Sequence, residues 1–232
     1  MSLDVNVTLG TFGLSIAPGD NTFNLCENTT IDAAFYFKDG KLYVFKGAHY
    51  WVVVNDKLES GYPKLAKEKW NGLPSKIDTA FSYKNDELFF FKGPVYWKYV
   101  ATKLEPGYPK LINDGFPGIP DDIQAASVWG KNGFIYFFKD NRYWRYEPNR
   151  EPPVRSAYPK AISDGWDGIP NDLDAMVLSK GDTTKGVTYF VKGKEYWRFD
   201  DEKLKVFYDQ NYAPYPRQTG PWWFGCSKLP DP

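Results

Sequence analysis

The residues with chemistry to offer are few. One histidine, His49, stands in 232 residues. The chain therefore supplies no two-histidine zinc site, no bis-histidine haem and no facial triad. Beside Tyr50-Trp51, His49 reads as a half-exposed strand residue rather than a metal or haem ligand. Asp121-Asp122 is a carboxylate pair, but it follows Pro120 and precedes an apolar segment, the place of a solvated turn or cap. No nucleophile recurs beside a base and an orienter, so the chain is not expected to be an enzyme. Arg142, Arg145, Arg150 and Arg155 make a basic cluster that could meet a glycan or a partner protein. The alternative is a solvated face with Asp140 and Glu147 nearby. Asn6-Val7-Thr8 and Asn28-Thr29-Thr30 are glycosylation sequons. Cys26 and Cys226 are the two cysteines.

What must position these residues is a repeat. Ile31-Asp32-Ala33-Ala34-Phe35 returns as Ile77-Asp78-Thr79-Ala80-Phe81, Ile123-Gln124-Ala125-Ala126-Ser127 and Leu173-Asp174-Ala175-Met176-Val177, at spacings of 46, 46 and 50. A Tyr-Trp pair follows in phase at Tyr50, Tyr96, Tyr143 and Tyr196, and a Tyr-Pro pair at Tyr62, Tyr108, Tyr158 and Tyr215. Within each unit short aromatic and β-branched runs alternate with Gly, Asn and Asp turns, the grammar of an antiparallel sheet. Lys57-Leu58, Lys103-Leu104 and Lys203-Leu204 read as turns leading to a short outer strand. A short helix is expected after each Tyr-Pro, over 64–69, 110–113 and 160–164, stopped by Gly and Pro. Trp70 and Trp166, at helix ends, are candidate exposed contacts.

Four sheets of this size predict an all-β fold, a four-bladed β-propeller with blades of about 26–74, 75–120, 121–170 and 171–226. Residues 1–25 read as an N-terminal extension or linker and 227–232 as a tail. Small Ala33, Ala34, Ala80, Ala125, Ala126 and Ala175 suit strands crowded at an axis. The 17 Phe, 17 Tyr and 9 Trp then fill the wedges between blades. A Cys26–Cys226 disulfide would join the first and last blades and imply an oxidising compartment; the alternative is two free buried thiols. The 29 basic and 29 acidic residues cancel, which argues against nucleic acid or another polyanion as partner. No 18-residue apolar run is present, so no transmembrane helix is expected. Met1-Ser2-Leu3-Asp4 lacks the basic and apolar regions of a signal peptide, a start compatible with a removed leader.

"IDAAF…LYVFKGAHYW…GYPK" and "KNGFIYFFKDNRYWRY…YPKAISDGWDGIPNDLDAM" resemble the hemopexin-like repeat over about residues 26–226. Trp222-Trp223-Phe224-Gly225-Cys226 resembles the segment that closes this domain in matrix metalloproteinases, and "GYPKLINDGFPGIPDDI" is similar to vitronectin. The resemblance implies a disulfide between blades one and four, and a non-catalytic recognition domain of a secreted or surface-tethered metalloproteinase-like protein. Its partners would be matrix components, protease inhibitors and receptors, with a homodimer among the arrangements it admits. It implies a structural Ca2+ or Na+ in the central channel, and allows chloride there. The carbonyls of Asp32, Asp78, Gln124 and Asp174 would hold the cation, with Ala34, Ala80, Ala126 and Met176 as a second layer. Three aspartates near one axis would otherwise repel. Gln124, Ser127 and Met176 depart from the family pattern. Two other readings follow from relatives: a haem or small-ligand carrier, although no haem is expected here, and a vitronectin-like adhesive protein. The chain has no Arg-Gly-Asp, and the metalloproteinase signature His-Glu-x-x-His is absent, so protease activity would belong to another domain.

Overall fold

A computed structural model describes residues 24–179 and 186–227. The described chain forms four antiparallel sheets, one for each predicted unit. Their inner strands are Ala33–Tyr36, Thr79–Ser82, Ala125–Val128 and Ala175–Ser179. Each pairs with a second strand, Leu42–Lys46, Glu87–Lys92, Ile135–Lys139 or Val187–Lys192. That in turn pairs with the Tyr-Trp strand, His49–Val54, Val95–Val100, Arg142–Tyr146 or Glu195–Asp200. The hairpins between second and third strands turn in two residues. The first of these takes positive φ at Gly47, Gly93, Asp140 and Gly193, which explains the Gly and Asp there.

The inner strands pack side by side in a closed ring, blade one touching two and four, blade three likewise. Their alanines are buried to 1% exposure or less, as crowding at an axis requires. The apolar core falls into four clusters, and each lies between two successive blades. One large ring from the segment after each Tyr-Pro is the centre of each wedge. Trp166 packs at 5.1–5.9 Å on Trp129, Tyr136, Phe138 and Tyr143 of blade three and on Phe190 and Phe199 of blade four. Trp70, Phe116 and Trp223 fill the other three wedges. Trp70 and Trp166 are thus not exposed contacts, at 0% and 2% exposure. The neighbouring blade covers them. The glycine before the ring has a packing cause: a Cβ on Gly165 would lie 2.4 Å from the Tyr143 hydroxyl.

The Lys-Leu pairs are themselves the short fourth strands, Lys57–Leu58 and Lys103–Leu104, not turns before them. In blade four this strand shifts to Lys205–Val206, because Leu204 takes a φ of +56° and ends the turn. The helical turns are Ala66–Lys69, Ile112–Gly115 and Ile162–Asp164. The first two residues of each predicted helix instead form a two-residue strand on the Tyr-Trp strand.

Candidate recognition surface and channel

The channel is built from the four inner strands. Each is the terminal strand of its own sheet, and among the described residues no ladder joins one to another. Their axis-facing peptide groups therefore lack strand partners. At the mouth, the amides of Asp32, Asp78, Gln124 and Asp174 donate to Phe45, Phe91, Phe138 and Val191 at 2.8–3.0 Å. Those carbonyls already stand opposite the next residue in register, so two inner-strand residues face one, the count of a β-bulge. The side chains turn back to the hairpin. Asp32, Asp78 and Asp174 each accept from a glycine amide, Gly47, Gly93 or Gly193, at 2.6 Å. Gln124 accepts the Asp140 amide through Oε1 at the same distance.

Ala34, Ala80, Ala126 and Met176 share one level. Their partners Val44, Phe90, Phe137 and Phe190 each stand opposite the tryptophan of a Tyr-Trp pair. Ala126 N–H donates at 3.1 Å to Thr79 Oγ1 on the adjacent inner strand. Alternate residues of a strand exchange bonds with the partner and those between face away, so this level turns its peptide edge to the axis. Burial raises the Asp32, Asp78 and Asp174 carboxyls above the usual range, opposed by their glycine amide bonds. Asp78 also raises Asp32, and Asp32 raises Asp174. The three half-buried carboxyls thus raise one another where the inner strands converge, a repulsion that a hard cation would relieve. Among the described residues no three His, Cys, Asp or Glu side chains gather in metal-holding geometry. At the far end, Tyr36, Ser82, Val128 and Ser179 open into a cavity of about 1020 Å³. Of its lining residues, Lys38 pairs with Asp86 at 2.9 Å, and Lys41 pairs with Glu59, outside the lining, at 2.8 Å.

Of the predicted basic cluster, Arg145 and Arg155 both reach Glu147 Oε1, at 2.7 Å each. The Arg155 bond, helped by Arg145 and opposed by burial, lowers the Glu147 carboxyl to about 2. Arg150 donates to the Pro152 carbonyl, and Arg142 is exposed. His49 is half-buried on its strand, and Asp121 and Asp122 are exposed in the turn before the third inner strand. Cys26 and Cys226 are bonded, Cα atoms 5.5 Å apart, across the blade-four to blade-one seam. Asn28 is exposed; Asn6 lies outside the described residues.

A second surface, on blade four, has no counterpart in the sequence reading. Arg198 lies over Phe207 at 4.0 Å, and Phe207 meets Tyr215 at 6.5 Å. Arg217 lies over both Tyr215 at 4.3 Å and Trp222 at 4.6 Å. Its guanidinium also donates to the Ala213 carbonyl. Beside this row Tyr208, Tyr212 and Trp222 are 74%, 64% and 43% exposed. The available signal was spacing: Tyr-Trp to Tyr-Pro takes 12 residues in blades one and two but 19 in blade four.

The hemopexin family profile matches residues 31–75, 77–121 and 123–171, well over half of the chain and three of the four blades. The chain belongs to the hemopexin family. As a hemopexin propeller it is a non-catalytic domain. Over 122 residues, 52% of the chain, it is 35% identical to stromelysin-3 of Xenopus laevis, covering 25% of that protein. Over 54 residues, 23% of the chain, it is 39% identical to stromelysin-3 of Mus musculus, covering 11% of it. The match thus spans at most a quarter of the length of these curated relatives. Among solved structures, the hemopexin fold protein CP4 from cow pea superposes with a TM-score of 0.68 at 20% identity, over 86% of this chain and 99% of that one. A plant lectin with two metal-binding sites from Cicer arietinum gives 0.67 at 24%, over 84% and 95%. At these identities the hemopexin fold is what is shared. Among the described residues no helix is long and apolar enough to cross a membrane.

Proposed function

We propose that this hemopexin propeller is a protein-recognition domain of a secreted or cell-surface metalloproteinase-like protein, binding matrix proteins, inhibitors or receptors. The observation that carries the reading is the arginine–aromatic row on blade four. Exposed Trp, Tyr and Arg are the side chains that dominate protein interfaces. Arg217, fixed by Tyr215 and the Ala213 carbonyl, holds Trp222 ready, so little side-chain freedom is lost on binding. The stromelysin-3 likeness and the disulfide support an extracellular place. The carbonyls of Asp32, Asp78, Gln124 and Asp174 would hold Ca2+ or Na+ as a structural ion, which would bridge four unpaired strand edges. The test is binding of immobilised extracellular matrix proteins and protease inhibitors to native chain and to Tyr208→Ala/Tyr212→Ala/Trp222→Ala. Loss of binding at unchanged melting temperature is expected. Equal binding by both refutes this surface, and Arg142→Ala/Arg150→Ala then tests the blade-three arginines. The second reading, a small-ligand carrier, has the cavity at the far end of the channel in its support. Tight stoichiometric haem binding in a Soret titration would favour it.

A further inference from the structure

The sequon Asn28-Thr29-Thr30 lies at the seam of the ring, and its three residues have three different fates there. Asn28 is exposed, and both bonds to its side chain fall on Oδ1, from the Thr30 amide at 3.3 Å and the Thr30 hydroxyl at 3.0 Å. Among the described residues no hydrogen bond falls on its Nδ2, the atom a glycan would occupy. Thr29 is 9% exposed. Its carbonyl lies 3.2 Å from the Thr219 hydroxyl, across a separation of 190 residues, and shares that one proton with the Lys194 carbonyl at 3.0 Å. The Thr29 methyl also lies 2.9 Å from where a Cβ on Gly220 would be, so the closing segment of the chain sits on it. The Thr30 hydroxyl, besides donating to Asn28, accepts from Lys46 Nζ at 3.0 Å. Lys46 also bonds the Asn28 carbonyl at 2.6 Å.

The hydroxyl at the third sequon position is what distinguishes a sequon from any other Asn, so the transferase must read it. Here its one proton and one of its acceptor sites are taken once blade one has formed, and the middle residue is covered once blade four arrives. Residue 28 is made 191 residues before Thr219. We propose that Asn28 carries an N-linked glycan, attached while the chain is still open and before the last blade docks. This rests on the secretory reading above. In the transfer, Nδ2 forms a bond to the anomeric carbon of a lipid-diphosphate-linked oligosaccharide. The carbon–oxygen bond to the diphosphate breaks, the diphosphate leaves with that electron pair, and the amide proton goes to a transferase base. The ring then closes around the modified segment with Asn28 still pointing outward, so the fold tolerates the glycan.

The test uses the full chain with Asn6→Gln, secreted from a eukaryotic host behind a heterologous leader. Natural secretion then does not affect the result, and disulfide closure is scored in the same sample. One glycan is expected, released by peptide-N-glycosidase to leave aspartate at position 28, lost in Thr30→Ala and kept in Thr30→Ser. A secreted, disulfide-closed chain with unmodified Asn28 overturns the site while leaving the secretory reading intact. For the timing, unglycosylated chain is given to purified oligosaccharyltransferase with lipid-linked donor, either folded and oxidised or reduced and unfolded. At least tenfold slower modification of the folded form is expected; equal rates overturn the timing.

Discussion

Removing the disulfide should cost stability without changing structure. Replacing Cys26 and Cys226 together by serine frees a loop spanning 200 residues of separation. Loop-closure entropy for a segment this long comes to about 5 kcal/mol at 25 °C, and losses measured for native disulfides run from about 2 to 5 kcal/mol. For a chain of 232 residues each kcal/mol moves Tm by about 2–4 °C, so a fall of roughly 5–20 °C is expected. The double variant should still fold at 25 °C. The seam holds an apolar cluster of its own, including Leu25, Ile31, Trp51, Trp223 and Phe224, and the other three wedges do not involve the cysteines. Calorimetry of the native chain, the native chain with reductant and the double variant gives the stability. Near-UV circular dichroism, dominated here by wedge aromatics, gives the structure. A Tm within about 3 °C of native would refute the ring-closure argument. A lost near-UV signal at 25 °C would refute the claim that the seam packs on its own.

Three further outcomes are expected. Trp166→Ala should lose about 3–5 kcal/mol in urea unfolding, since six rings pack on it, whereas Trp222→Ala should stay within about 0.5 kcal/mol. Glu147 has a folded pKa of about 2, below its unfolded value, so its contribution is present above about pH 4.5 and lost as pH falls toward 2. Glu147→Gln should remove that acid-limb slope in Tm against pH. Asp32 has the opposite sign: its folded pKa is raised, so its contribution is full below the unfolded value and is lost as pH rises through the folded one. Asp32→Asn, which keeps an oxygen for the Gly47 amide, should therefore match or exceed native stability in chelator and show a smaller rise in Tm on adding Ca2+; a loss above about 2 kcal/mol in chelator would contradict this.

The blades could be read because their cause is local. A strand, a two-residue turn and the next strand are neighbours in the chain, and Gly47, Gly93 and Gly193 mark the turns directly. The aspartates that hold those turns act within one blade too, each accepting a glycine amide 15 to 19 residues ahead. Trp70 and Trp166 could not be placed, because what buries them comes from the following blade, Phe90 for one and Phe190 and Phe199 for the other. The blade-four row was missed for a related reason. Arg217 meets Trp222 and Arg198 meets Phe207 only after the 19-residue excursion folds back on its own blade.

The contrast between inside and outside locates function. At the axis the four blades repeat one device: a side-chain oxygen at Asp32, Asp78, Gln124 and Asp174 takes a turn amide at 2.6 Å. Beside it Lys46, Lys92, Lys139 and Lys192 each donate to a backbone carbonyl before their inner strand, at 2.6–2.9 Å. What all four blades share is needed to close a ring, and stability accounts for it. The exposed rings of Tyr208, Tyr212 and Trp222 occur in one blade and contribute little to any wedge. Leaving them in water forgoes apolar burial that the other blades obtain from their aromatics. Exposed aromatic rings that, among the described residues, gather in one blade are not explained by ring closure, and a partner that covers them would recover that burial.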